Sequence, residues 1–145
     1  MAGYSIIRDD RDKGAREIRI TSLAVTIGDL LERLTGAVNW TATSASSEAH
    51  TRKAIAMETV ASGATTVLAI ELDGSELVRV PGTGTAAVTD DGDQMAASTV
   101  AIVANTHTNV SADSHVVFVQ EGIGPAATDL IGHVLVGNGI NPDLT

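Results

Sequence analysis

Val67-Leu68-Ala69-Ile70-Glu71-Leu72-Asp73-Gly74-Ser75-Glu76-Leu77-Val78-Arg79-Val80 is the stretch on which the fold turns. Two β-prone runs flank an Asp-Gly pair, and a type I′ turn needs positive φ at both central positions. The stretch therefore predicts a hairpin with Asp73-Gly74 at its tip. Pro81-Gly82-Thr83-Gly84 closes the second run, since proline donates nothing to a ladder and glycine tolerates the reversal.

The same grammar extends in both directions. Upstream, Lys53-Ala54-Ile55-Ala56-Met57-Glu58 precedes a Ser62-Gly63 turn, and Val38, Trp40 and Ala42 alternate with polar neighbours as a half-buried strand does. Downstream, Thr99 to Ala104, His115 to Gln120 and Ile131 to Gly137 are three more strands, separated by an Asn105 to Asn109 turn and a Gly/Pro loop from Glu121 to Asp129. Short strands at near-regular spacing predict an all-β chain, a small barrel or sandwich. One segment reads differently. Ile27, Leu30, Leu31 and Leu34 recur at helical spacing, and Thr26-Ile27-Gly28-Asp29 resembles a capping box, so one short helix is expected over 27–34, against a competing strand through 23–27.

The chain has 145 residues, a net charge of −9 and no cysteine, so one domain without disulfides or thiolate metal sites is expected. No apolar run approaches the roughly 18 residues of a membrane span, and no secretory leader is read at the N-terminus. The charge is unevenly spread. Residues 1–20 carry a net +1, which leaves −10 on the remainder, and no Lys or Arg follows Arg79. Binding to nucleic acid is not expected of such a body. Residues 1–20 read as an extended, mixed-charge arm and residues 21–145 as the β-rich domain. Within the arm, Arg16-Glu17-Ile18-Arg19-Ile20 alternates charged and apolar residues, which suits strand addition to a partner's sheet edge.

Tests for chemistry come back negative. Asp90, Asp91 and Asp93 surround Gly92, but the twelfth position from Asp90 is Ala101, so an EF-hand fails. His50, His107, His115 and His133 form no zinc spacing, although His107 and His115 could meet across a turn. There is no G-x-S-x-G elbow, and Gly82-Thr83-Gly84-Thr85 lacks the lysine of a phosphate cradle. Tyr4, Trp40 and Phe118 are the only aromatics, too few for a stacking platform. The trimeric dUTP pyrophosphatases are similar in size, but no Arg-Gly pair exists here. No catalytic residue, cofactor or metal is expected.

Taken in order, the charged arm, Val25-Thr26-Ile27-Gly28-Asp29-Leu30-Leu31, Ala54-Ile55-Ala56-Met57-Glu58 with the Gly63 turn, the Asp73-Gly74 hairpin and the closing Ile131-Gly132-His133-Val134-Leu135-Val136-Gly137 form a set. That set resembles the small head decoration, or cement, proteins of tailed phages and related viruses, over residues 23–137. The resemblance implies a β-barrel or β-tulip body. It further implies homotrimers on the outer surface of an icosahedral head, made in the host cytoplasm, with each arm laid on the major capsid protein. The chain departs from the shorter, more aromatic-rich type, so detailed topology does not carry over.

The expected function is therefore a non-enzymatic capsid decoration protein whose partners are the major capsid protein and itself, with neither nucleic acid nor membrane. Tyr4, Ile6, Ile7, Arg8, Arg11, Arg16, Ile18, Arg19 and Ile20 are the expected shell contacts, and a body lacking residues 1–20 is expected to fold. A tail, baseplate or head-fibre module is the alternative, followed by a trimeric β-barrel hydrolase with a site between subunits.

Overall fold

The computed structural model of the chain describes residues 3–9, 14–44, 51–82, 94–95, 97, 117–121 and 129–137. It is all-β and barrel-like, built of two five-stranded sheets, one of them a curled half-barrel, and there is no helix among the described residues. In chain order the strands are β1 (Ser5–Arg8), β2 (Arg16–Arg19), β3 (Leu30–Arg33), β4 (Thr41–Ala42) and β5 (Arg52–Ala56). They continue with β6 (Thr66–Glu71), β7 (Leu77–Val80), β8 (Gln94–Met95), β9 (Val117–Glu121) and β10 (Leu130–Val134). Sheet 1 has the order β1-β7-β10-β9-β8 and sheet 2 the order β2-β6-β5-β3-β4. Every named pairing is antiparallel.

Two corrections follow, and both have local causes. The Asp73-Gly74 turn exists, with Gly74 at φ +91°, but β6 and β7 do not pair; they belong to different sheets. A two-residue hairpin needs Leu72 and Ser75 to bond to each other. Here the Leu72 N–H goes to the Lys53 carbonyl at 2.9 Å, and the Ser75 N–H to Asp73 Oδ1 at 2.9 Å. The buried Glu76 carboxylate takes the Asp73 and Gly74 amides. The turn is thus a corner between sheets.

The short helix expected over 27–34 is absent as well. Asp29 and Thr26 do bond reciprocally, Asp29 N–H to Thr26 O and Thr26 N–H to Asp29 Oδ2, each at 2.9 Å. Gly28 between them sits at φ +92°, outside the helical region, so the pair closes a turn that feeds β3. Successive side chains of a strand point to opposite faces. Leu30 packs into the core between the sheets and Leu31 into a second core on the outer face of sheet 2. A strand buried on both sides carries an unbroken apolar run, which is why Leu30-Leu31 imitates a helix stripe.

That second core explains β5 in turn. Ile55 joins Leu30, its register partner, in the inter-sheet core, while Ala54 and Ala56 face outward with Leu31, Val67 and Ala69. Ile20, Val25 and Trp40 roof this outer face. The alternation over 38–42 is correct for Trp40, which is 2% exposed, but Val38 stands 66% exposed. In sheet 1, Gly132 lies against the Phe118 carbonyl so closely that a Cβ would overlap it.

Candidate functional site

The N-terminal segment supplies the outermost strand of each sheet. Tyr4 is buried in the inter-sheet core, with Ile6 packed against it, while Ile18 and Ile20 enter the outer core. Burial pushes the Tyr4 phenol well above its ordinary pKa. Ile7 falls at a β-bulge, where the register steps from Ile6↔Val78 to Arg8↔Leu77, and the bulge leaves it 47% exposed. Arg8 and Arg19 are exposed. Arg11 lies outside the described residues. Residues 4–8 and 16–20 thus sit in the sheets, and removing residues 1–20 would strip a strand from both.

Two ionic sites fasten these strands. Arg79, on β7 between β1 and β10, donates to Asp129 Oδ2 at 2.9 Å, to Ser5 Oγ at 3.1 Å and to the Gly3 carbonyl at 2.5 Å. In sheet 2, Glu71 accepts two bonds from Arg52, both at 2.7 Å, and one from Arg16 at 2.6 Å. The Arg52 guanidinium also lies 5.5 Å over the Trp40 ring. Partial burial raises the Glu71 pKa, but the hydrogen bonds from Arg52 and then Arg16, with their charges, outweigh it and hold the carboxyl below its ordinary value. Its bond to Glu71 in turn raises the Arg52 pKa.

Beside β1 the two sheets part. On the inner face of sheet 2, Ile55 and Leu72 are covered by sheet 1, whereas Leu68 and Met57, joined through Met57 N–H and the Leu68 carbonyl at 2.8 Å, remain 38% and 39% exposed. The result is an apolar cleft of about 360 Å³ walled by Tyr4, Ile6, Ile27, Ile55, Met57 and Ile70, with Asp9 at its lip. Glu17 is the register partner of Leu68, and Glu58 accepts the Leu68 N–H at 2.9 Å. Asp29 follows Gly28 in the cleft wall; partial burial raises its pKa against the lowering bond from Thr26 N–H.

At the other edge of sheet 2, the turn Leu34-Thr35-Gly36-Ala37 projects between β3 and β4. It is closed by Ala37 N–H on the Leu34 carbonyl at 3.0 Å and braced by Arg33 Nε on the Ala37 carbonyl at 2.8 Å. Leu34 is 49% exposed and Val38 beyond it 66%. A shallow polar recess of about 220 Å³ between this turn and Arg52 completes that end.

Of the residues tested for chemistry, His133 is described: its Nδ1 lies 3.2 Å from the Gly74 carbonyl and its Nε2 2.9 Å from Gln120 Oε1, where it ties the corner turn to β9. The acidic cluster at Asp90, Asp91 and Asp93, the Thr83-Gly84 stretch, the strand at 99–104, and His50, His107 and His115 lie outside the described residues. Among the described residues no three His, Cys, Asp or Glu converge as metal ligands. What the described residues offer at the surface is strands at the ends of both sheets, an apolar cleft and an apolar knob, the means of packing against polypeptide. No known protein-family model matches the chain, and no curated protein matches it either.

Glu71, Arg52 and Arg79 were not singled out in the sequence, because each needs strand neighbours that only the topology supplies. The cleft had a faint signal: Leu68 and Ile70 share a strand face with Leu72, more apolar surface than one covering strand protects.

Proposed function

We propose that the chain is a capsid decoration protein, a non-enzymatic β-module that assembles with copies of itself and ties major capsid protein subunits together on the outside of a viral head. The observation that carries this reading is that, among the described residues, β1 and β2 are each the outermost strand of their sheet, which places the N-terminal segment at two sheet edges. An open edge is a template for an extended segment of another protein. Shell contact falls to the exposed members of the N-terminal set, Ile7, Arg8, Arg16 and Arg19, since Tyr4, Ile18 and Ile20 are committed to the cores. The ordered motif resemblance gives the capsid as destination, and multiple weak contacts on a lattice suffice for stable attachment.

Immunogold labelling of intact virions from the source tests the reading. Label distributed over the head supports it; label confined to the tail, or no virion label, overturns it. Sedimentation with undecorated heads then locates the contact: an Ile7→Asp/Arg19→Glu variant is expected to leave the pellet, while the wild-type chain stays in it.

A further inference from the structure

We infer that copies of this chain associate head to tail, the Leu34–Val38 knob of one molecule seating in the β1/β6 cleft of the next. One surface protrudes and the other recedes. The knob is a braced tight turn that holds two aliphatic side chains out in water, and the cleft is a recess lined by aliphatic ones. Leaving both uncovered exposes apolar surface at two places; one contact buries both.

Charge runs the same way. Among the described residues, Asp9 is the one charged side chain that lines the cleft, a −1. Beside the knob stand Arg33 and Arg52 against Glu71, a net +1. Among the described residues, the knob of a molecule does not reach its own cleft, because it joins β3 to β4 at the edge of sheet 2 opposite β2 and β6. The opposite charges of the two surfaces favour a second copy as the occupant.

A contact between two different patches is heterologous, and it closes into a ring when the rotation between copies permits. This deepens the self-association part of the proposed function and leaves its capsid part untouched, so failure on virions and failure here are separate results.

The chain has no cysteine, so introduced thiols report cleanly. A Val38→Cys/Met57→Cys double variant, mildly oxidised at high protein concentration, is expected to give disulfide-linked multimers on a non-reducing gel. Val38→Cys alone and Met57→Cys alone are expected to stay monomeric, since neither residue meets its own copy. Mixing the two single variants is expected to give covalent dimers and nothing larger. Val38→Asp, at an exposed position, checks the contact without thiols: by light scattering it should be monomeric where the wild-type chain is oligomeric. A monomeric wild-type chain, dimers from either single thiol variant, or unchanged assembly of Val38→Asp would overturn the inference.

Discussion

The two sites that fasten the N-terminal strands use the same chemistry at different depths. Arg79 and Asp129 hold β1 through a largely buried pair, with side chains 13% and 6% exposed, whereas Glu71 holds β2 through Arg16, 52% exposed, and also binds Arg52, 41% exposed. Desolvation separates them. A buried pair is costly to assemble and more costly to break, because the surviving partner is left charged without compensation. An exposed pair keeps water as a competing partner and is worth little by itself. The contrast shows that an ion pair's leverage over the fold depends on what remains after one member is removed.

The largest effect is therefore expected at the buried site. Arg79→Met should cost about 3–5 kcal/mol in denaturant unfolding, through the uncompensated Asp129 and the loss of bonds to Ser5 and Gly3. Adding Asp129→Leu should recover much of that loss. If it does not, positioning of β1 rather than desolvation is what Arg79 supplies.

Tyr4 probes the same end by another route. Its phenol is raised in the folded state, so its contribution is complete below the unfolded value near 10 and lost as pH climbs past it. Stability should fall by about 1.4 kcal/mol per pH unit there. Tyr4→Phe should flatten that limb; an unchanged limb would break the link to Tyr4.

At the exposed site, Glu71→Gln should cost about 1 kcal/mol. The Glu71 carboxyl is depressed in the folded state, so its contribution is present above the unfolded value of about 4.5 and lost as pH falls through the lower folded value. Wild type and Glu71→Gln should converge in acid titrations of unfolding below that point. Smallest of all is the salt effect. Raising salt from 0.1 to 1 M shortens the screening length from about 10 to about 3 Å, so the gap between wild type and Glu71→Gln should shrink by a few tenths of a kcal/mol while the Arg79→Met gap holds.

How much of this was legible depends on range. Strand-forming runs and turn glycines act within a few residues, so β5, β6, β7, β9 and β10 all lie in or beside stretches read as strands, and the all-β class follows from them. The errors came where local bonding was right but its consequence was decided elsewhere. Asp73-Gly74 does turn the chain, yet Glu76 captures the amides that would have closed a hairpin. Thr26 and Asp29 do cap each other, yet Gly28 and the two separate cores for Leu30 and Leu31 make the next element a strand. The charge alternation of 16–20 suggested a free strand, and the buried Ile18 and Ile20 show the chain's own sheet 2 receiving it. The cleft and knob depend on which strand ends a sheet, and no short window of sequence carries that information.

Sheet membership also sets a timetable for synthesis. All five strands of sheet 2 come from residues 16–71, so that sheet can form while the rest of the chain is still being made. Sheet 1 takes β1 from residues 5–8 but needs β7 to β10, the last ending at residue 134. Because domains assemble as their parts emerge and distant pairings are slow to form, β1 waits through the whole of the sheet 2 sequence before β7, at residues 77–80, gives it a partner. Until then its apolar residues and open edge are where a nascent molecule is most exposed to wrong partners.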